Sequence, residues 1–410
     1  MRIAVLPLSY LPSIGGAEFV VHNAALEHER AGHSISVFPN LASRPVWRHL
    51  PYTCIPVWRR AWSTAIADGA SENGGTHPRR LLRWRLAMLQ RIFRADVWHI
   101  HAAYPVGWAV IDILRGELGV PVVVTSHGSD IYDYSGAVDG TGEQFDPDLS
   151  SRIARTLHAA DALIAVGPKV EQSYRDFGIP EDKVSVIPHG WHPDRVDHAA
   201  QTAKQTRQRL GVTTPRVALA VAADRPEKRL DDLLDAADHL EGSPWTLVVS
   251  TVGSRLGREV QDRGLGNRVV VREESPLTAA DLQGGLPRQA TLDLYAAADV
   301  MILPSVVEAS PTVFHEAFAA GCPVITTTTA ASGVVDHLHN GLVIDGRDPE
   351  GIAAALARLD EDTTLLAQLR SGAAEAGKAV PHWKDIAAQT REVYEAAIAA
   401  HATAMTSSNR

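Results

Sequence analysis

The stretch VMILPSVVEASPTVFHEAFAAGCPVITTT, residues 300–328, reads as strand, helix, strand. Two short β-rich runs, Val300–Leu303 and Val324–Thr328, bracket a helix. Ser310 is its expected cap, Pro311 its first position, where a missing N–H costs nothing, and Gly321 with Pro323 its stop. Strands alternating with helices in this way form parallel sheets covered on both faces. Chemistry gathers on the same helix. Glu308 falls just before it and Glu316 on its second turn, flanking the free N–H groups of Thr312 and Val313. Those amides form an electropositive rim suited to anions or sugar oxygens, and the two carboxylates are acceptors for hydroxyls. A capped, partly buried helix with one exposed and one salt-bridged glutamate has the same spacing, so context must decide.

Outward from this unit the alternation repeats along the whole chain, twice over. In the first half strands are expected near Ile3–Pro7, Ser34–Phe38, Val97–Ile100, Val122–Thr125, Ala162–Val166 and Val184–Ile187. In the second half they are expected near Val217–Ala223, Thr246–Ser250, Arg268–Val271, Val300–Leu303, Val324–Thr328 and Leu342–Ile344. The polar stretch from Pro188 to about Arg207 reads as a linker between an α/β lobe over 1–190 and another over 205–380. A last strong helix, Trp383–Ala399, follows a break at Pro381, and the polar tail His401–Arg410 is expected to be disordered.

Composition agrees with two lobes. The chain has 410 residues at 45% hydrophobic content, enough for two cores. Its formal charge, 39 − 48 = −9, argues against wholesale nucleic-acid binding, which demands a basic face. Cys54 and Cys322 make no disulfide framework and have no metal-ligand spacing, which suits a reducing cytosol. Met1–Pro12 reads as a first strand, without a convincing signal-peptide cleavage region. No run of about 18 apolar residues is present to span a membrane. Ala-, Arg- and Asp-rich usage hints at a bacterial source of high GC content.

The first lobe also carries irregular segments. Arg44–Trp62 mixes Trp47, Trp58 and Trp62 with Arg48, Arg59 and Arg60, and Arg79–Arg94 is a basic amphipathic helix with Trp84 and Leu86. Such stretches dock on anionic membranes or line an acceptor groove, and a snorkelling surface helix has the same pattern. Ala70–His77 and Asp133–Asp148 read as loops.

Four further segments bear on Glu308 and Glu316. Pro12–Glu18, with Gly15 and Gly16, feeds a helix running to about Ala31, and glycines there let amides approach a phosphate; a plain turn fits equally. Val122–Asp130 delivers His127 and Asp130 at the carboxyl end of a strand, where parallel sheets bind ligands; a capped turn built around Asp130 is the alternative. Ala222–Leu230 is another strand end entering a helix. There Lys228 and a neighbouring arginine can neutralise a diphosphate, or be plain loop cations. His99 and His101 share one strand face and read as packing or polar-contact residues rather than metal ligands.

Six motifs in order resemble the retaining GT-B glycosyltransferases of family 4 (glycosyl transferases group 1), over nearly the whole chain. They are the Gly15-Gly16-x-Glu18 loop, the strand-end His127, the hinge Ile187-Pro188-His189-Gly190, Pro226-Glu227-Lys228, the Leu294–Asp299 helix before Leu303-Pro304-Ser305, and Glu308 with Glu316. The resemblance implies two Rossmann-like domains facing a cleft, with the acceptor mainly on the N-terminal one and the final helix, about 382–400, crossing back to it. It implies that Glu316 holds ribose hydroxyls, and that Glu308 and the amides after it hold the donor sugar, with Ser310, Pro311 and Thr312 in the donor site. Lys228 grips the diphosphate, Gly15 and Gly16 approach it from the other lobe, and His127 sits against the transferred sugar. His127, Lys228 and Glu308 are thus the expected catalytic residues, and Trp58, Arg59 and Asp130 the expected acceptor region. No cofactor or metal is implied. The expected partners are a nucleotide-sugar donor and a glycan, lipid-linked or natural-product acceptor. The expected location is cytoplasmic, with room for peripheral contact at the inner face of the membrane through Arg44–Arg94. Where the family usually has Gly-Arg, this chain has Ala222-Ala223; Arg225 is the expected replacement, with Arg229 the other choice. The alternative is a degenerate GT-B protein that binds a nucleotide-sugar or a partner enzyme without transfer.

Overall fold

A computed structural model describes residues 1–40, 44–57, 77–128, 130–132, 147–346 and 348–408. Trp58, Arg59, Arg60 and Trp62 lie outside the described residues, as do all but the ends of the loops read at 70–77 and 133–148.

Two parallel sheets organise the chain. The first comprises β1 (Arg2–Pro7), β2 (Ser34–Val37), β3 (Thr53–Cys54), β4 (Val97–His101), β5 (Val122–Ser126), β6 (Ala162–Ala165) and β7 (Val184–Val186), in spatial order β3-β2-β1-β4-β5-β6-β7. The second comprises β8 (Arg216–Val221), β9 (Trp245–Thr251), β10 (Val269–Glu273), β11 (Val300–Leu303), β12 (Val324–Thr327) and β13 (Gly341–Ile344), ordered β10-β9-β8-β11-β12-β13. Every strand expected from the sequence is present, and the two-residue β3 is additional. The central strands are buried end to end, all five residues of β5 and all seven of β9. Helices cover both faces of such sheets, so their strands read as unbroken Val/Ile/Leu runs instead of alternating. The reversal of order in each sheet leaves a crevice at the carboxyl ends of β1 and β4, and of β8 and β11.

The stretch read as a linker is different in the structure. Pro193–Arg209 is a helix, joined to the second lobe by Arg207, whose guanidinium reaches Asp299 Oδ2 at 2.8 Å and the Ala297 carbonyl at 2.7 Å. Its sequence lacks a wide apolar stripe because it packs on the second lobe through the small Ala199 and through polar anchors, so hydrophobic periodicity gave no sign of it. The passage between lobes is therefore short, running through Ile187 to His192.

The lobes also touch directly. The C-terminal helix runs Trp383–Ser408, through most of the tail expected to be disordered, where His401 reaches the Gly119 carbonyl at 3.0 Å, and it sends Trp383, Ile386, Val393 and Tyr394 into the core beneath β1, β2 and β4. Leu277, Leu282 and Leu286 of the second lobe join the same core. Asn23 clasps Leu286 twice, donating to its carbonyl at 2.7 Å and accepting from its N–H at 2.8 Å. Among the described residues no helix is long and apolar enough to cross a membrane.

Candidate functional site

A cleft of about 570 Å³ opens between the facing carboxyl edges of the two sheets, bordered by Gly15, Gly16, His127, Asp130, Arg225, Lys228, Glu308, Ser310, Pro311, Thr312 and Glu316. All the expected site residues that lie within the described structure thus meet in one place.

On the second lobe the helix after β11 begins at Thr312 with Pro311 at the N-cap position. This corrects the expected start: no side chain caps the helix, and Ser310 lies outside it. Pro311 holds an extended backbone (φ −71°, ψ 114°), so helical geometry starts one residue later. No protein side chain occupies the first-turn amides as a cap, which leaves the N-terminal dipole facing the cleft. The helix ends as expected: the N–H groups of Gly321 (φ +66°) and Cys322 close on the carbonyls of Phe318 and Ala317, at 2.9 and 2.8 Å.

Glu316, one turn in, is 6% exposed and accepts from the Tyr295 hydroxyl at 2.8 Å. Burial pushes its carboxyl up to about 7, against Tyr295 and Arg195, which favour the ionised form. Glu308 instead pairs with Lys228, Nζ to Oε1 at 2.5 Å, and its carbonyl accepts from Lys169 Nζ at 3.3 Å and the Ser332 hydroxyl at 3.0 Å. Lys169 belongs to the first lobe, so this contact crosses the cleft.

The two candidate arginines differ in their partners. Arg229 has a left-handed backbone (φ 52°) and spends its guanidinium on Asp232, at 2.6 and 3.1 Å. Arg225 is exposed on the cleft rim and makes no ion pair among the described residues. A cation the sequence reading missed, Arg288, borders the cleft at 6% exposure, held by Glu274 at 3.1 Å and Ser275 at 2.9 Å. Glu274 also takes Arg272 and Ser250, both at 2.7 Å. The available signal was positional only: Pro287-Arg288 immediately precedes the helix Gln289–Ala297.

On the first lobe, Gly16 faces Thr312. A Cβ on Gly16 would stand 3.4 Å from Thr312 Oγ1, an ordinary contact distance, so the loop comes close to the second lobe. At Gly15 a Cβ would meet Glu18 Oε2 at 2.5 Å, while Oε1 of Glu18 takes the Ser9 hydroxyl. Asp130 accepts from the amides of His127 (2.8 Å), Gly128 (3.0 Å) and Ala103 (2.7 Å). Its carboxylate is committed to shaping the turn that presents His127, the alternative that the sequence left open. His127 Nε2 lies 3.0 Å from His101 Nδ1, and burial lowers the His127 pKa against Asp130 and Glu18. His99 is fully bonded, to the Tyr394 hydroxyl and Thr125 Oγ1, each at 2.7 Å. Among the described residues no three His, Cys, Asp or Glu side chains are grouped to hold a metal.

Comparison with known proteins places this geometry. Residues 14–195 match the model of Glycosyltransferase Family 4 and residues 202–378 that of Glycosyl transferases group 1. The D-inositol 3-phosphate glycosyltransferase of Streptomyces bingchenggensis (strain BCW-1) is 30% identical over 74% of this chain and 67% of its own length. TuaC of Bacillus subtilis (strain 168), named for teichuronic acid biosynthesis, is 27% identical over 67% of this chain and 64% of its own length. Among solved structures, sucrose-phosphate synthase from Thermosynechococcus elongatus superposes with a TM-score of 0.75 at 19% identity, covering 98% of this chain and 100% of that one. Anabaena Alr3699/HepE, solved in complex with UDP-glucose, gives 0.68 at 17% identity, covering 96% and 99%. The two family models, matched in order along one chain whose paired Rossmann-like lobes form the GT-B fold, show that it belongs to glycosyltransferase family 4, the glycosyl transferases group 1.

Proposed function

We propose that this chain moves a sugar from a nucleoside-diphosphate donor to an acceptor hydroxyl with retention of configuration and without a metal ion. The observation that carries the reading is the convergence, on one cleft, of an uncapped helix start, Glu316 behind it, and the cations Lys228 and Arg225 beside it. Glu316 accepts from the ribose hydroxyls, and Lys228 and Arg225 offset the diphosphate charge. Glu308 and the amides around Thr312 bind the sugar, with His127 on its other side. The Gly15-Gly16 loop closes on the phosphates from the first lobe. UDP-glucose, bound by the Anabaena neighbour, is a model for the class of donor.

Transfer proceeds on the face of the leaving group. The acceptor oxygen bonds to the anomeric carbon as the carbon–oxygen bond to phosphate breaks, and the departing phosphate oxygen takes the hydroxyl proton. The protein contributes orientation and fixed charge, with no dedicated base. The anomeric configuration of the product, read by proton NMR, tests this: an α-configured donor should give an α-linked product, and a β-linked one would rule out retention.

The acceptor enters from the first lobe. There the basic helix His77–Phe93 exposes Leu81 (50%), Trp84 (62%) and Ile92 (61%) along one side, with Arg80 and Arg91 next to them. This arrangement suits peripheral contact with an anionic membrane at its cytoplasmic face, and so a lipid-linked acceptor.

A further inference from the structure

His189 lies on the short passage between the lobes. It is 5% exposed and borders the cleft; the Ser310 backbone leans on its ring, but neither ring nitrogen makes a well-formed hydrogen bond. Its ring stands 6.4 Å from that of His127 in the first lobe, the planes 22° apart, and 6.4 Å from that of His315 on the helix that carries Glu316. His127 spends Nε2 on His101 and keeps Nδ1 buried and unpartnered. His99 has both nitrogens bonded, whereas His315, like His189, has neither. Native structures rarely leave buried nitrogens unmatched, and where they do, a ligand or ordered water usually completes them.

Burial, with His315 and His127 adding to it, holds His189 well below the ordinary histidine range, and only the Ser310 backbone works the other way. The ring is therefore neutral at ordinary pH and offers one N–H donor and one bare acceptor nitrogen. Either nitrogen can pair with an alcohol hydroxyl, which both donates and accepts. The ring suits a phosphate less well, since an ionised phosphate oxygen only accepts.

We propose that His189 is a specificity-determining residue that hydrogen-bonds a hydroxyl of the sugar being transferred, alongside His127, so that the segment joining the lobes itself reads the donor. This rests on the donor reading above. Its site is distinct from the ribose and diphosphate contacts assigned there.

The test is calorimetric titration of wild type, His189→Leu and His189→Gln with UDP and UDP-glucose, GDP and GDP-mannose, and ADP and ADP-glucose. For the nucleotide-sugar that wild type binds, His189→Leu should lose about tenfold in affinity, the scale of one good hydrogen bond, while the matching nucleoside diphosphate changes by less than about twofold. His189→Gln keeps a donor and an acceptor at its tip and should recover most of the loss. Unchanged diphosphate binding also shows that each variant is folded. Wild-type affinity of His189→Leu for the nucleotide-sugar would overturn the assignment and leave the donor reading standing. Equal losses for diphosphate and nucleotide-sugar would overturn it as well, marking His189 as a support of the fold. Failure of wild type to bind any of the six would overturn the donor reading and the assignment together.

Discussion

Replacing Glu316 by Gln should stabilise the ligand-free protein, and by more at high pH than at low. The carboxyl is 6% exposed and raised to about 7 from an ordinary 4.5. An acid whose folded pKa lies above its unfolded one binds more protons folded than unfolded between the two values, so its contribution to stability falls as pH rises through that window. The groups facing it, Tyr295 and Arg195, already favour the carboxylate but do not offset its burial. Integrating the linkage over this shift gives a penalty of roughly 1 to 2 kcal/mol at pH 5.5, growing to about 3 kcal/mol at pH 8.5. Gln keeps an oxygen for the Tyr295 hydroxyl and removes the charge. Thermal unfolding of both proteins at the two pH values reads the difference directly, and the gain in Tm at pH 8.5 should be roughly twice that at pH 5.5, several degrees in all. A gain that does not grow with pH, or a loss at pH 8.5, would refute the claim that Glu316 is held against its ionisation. If the carboxylate serves ribose, the same variant should lose donor affinity, so stability and binding would move in opposite directions.

Lys228→Ala should cut kcat by on the order of 10²–10³, the usual cost of one preorganised charge-stabilising group. Since Lys228 also pairs with Glu308 at 2.5 Å, Lys228→Gln, which keeps a donor for that carboxylate without the charge, should fall as far; wild-type turnover in both would remove Lys228 from the diphosphate site. Arg225→Ala should weaken donor binding by about tenfold or more at little cost in stability, because no ion pair is lost, whereas Arg229→Ala should lower Tm and leave affinity nearly unchanged. Equal donor affinity of wild type and Arg225→Ala, measured by titration, would discard Arg225. Sedimentation with anionic vesicles should carry the protein down at low salt, and Trp84→Ser should weaken this several-fold; no binding to anionic over neutral vesicles would exclude the membrane contact.

The fold was legible because parallel strands buried on both faces leave unbroken runs such as Val122-Val123-Val124 and Leu247-Val248-Val249, each bounded by turn residues. The helix Pro193–Arg209 was not, since it is held by the Arg207–Asp299 pair and the small Ala199 and shows no wide apolar stripe. Local pattern placed Glu308 and Glu316 on either side of a helix start but set that start one residue early, because proline usually takes the first helical position and Pro311, with its extended ψ of 114°, stands at the N-cap instead. Asp130 reads alike as ligand or turn former until its three amide partners are seen. Choosing Arg225 over Arg229 needed the Asp232 contact, and Arg288 with Glu274 became visible only when separate strand ends met at the cleft. His189 stood in a recognised hinge motif, but its want of partners is a property of the packed lobes.

The most direct test of nucleotide-sugar use is a thermal-shift panel of UDP-, GDP-, ADP- and TDP-sugars on wild type and Glu316→Ala, with and without EDTA. One donor family should stabilise the wild type, equally with and without EDTA, and should leave Glu316→Ala unshifted. A folded wild type that no donor stabilises, or a Glu316→Ala protein stabilised as strongly as wild type, would contradict the account.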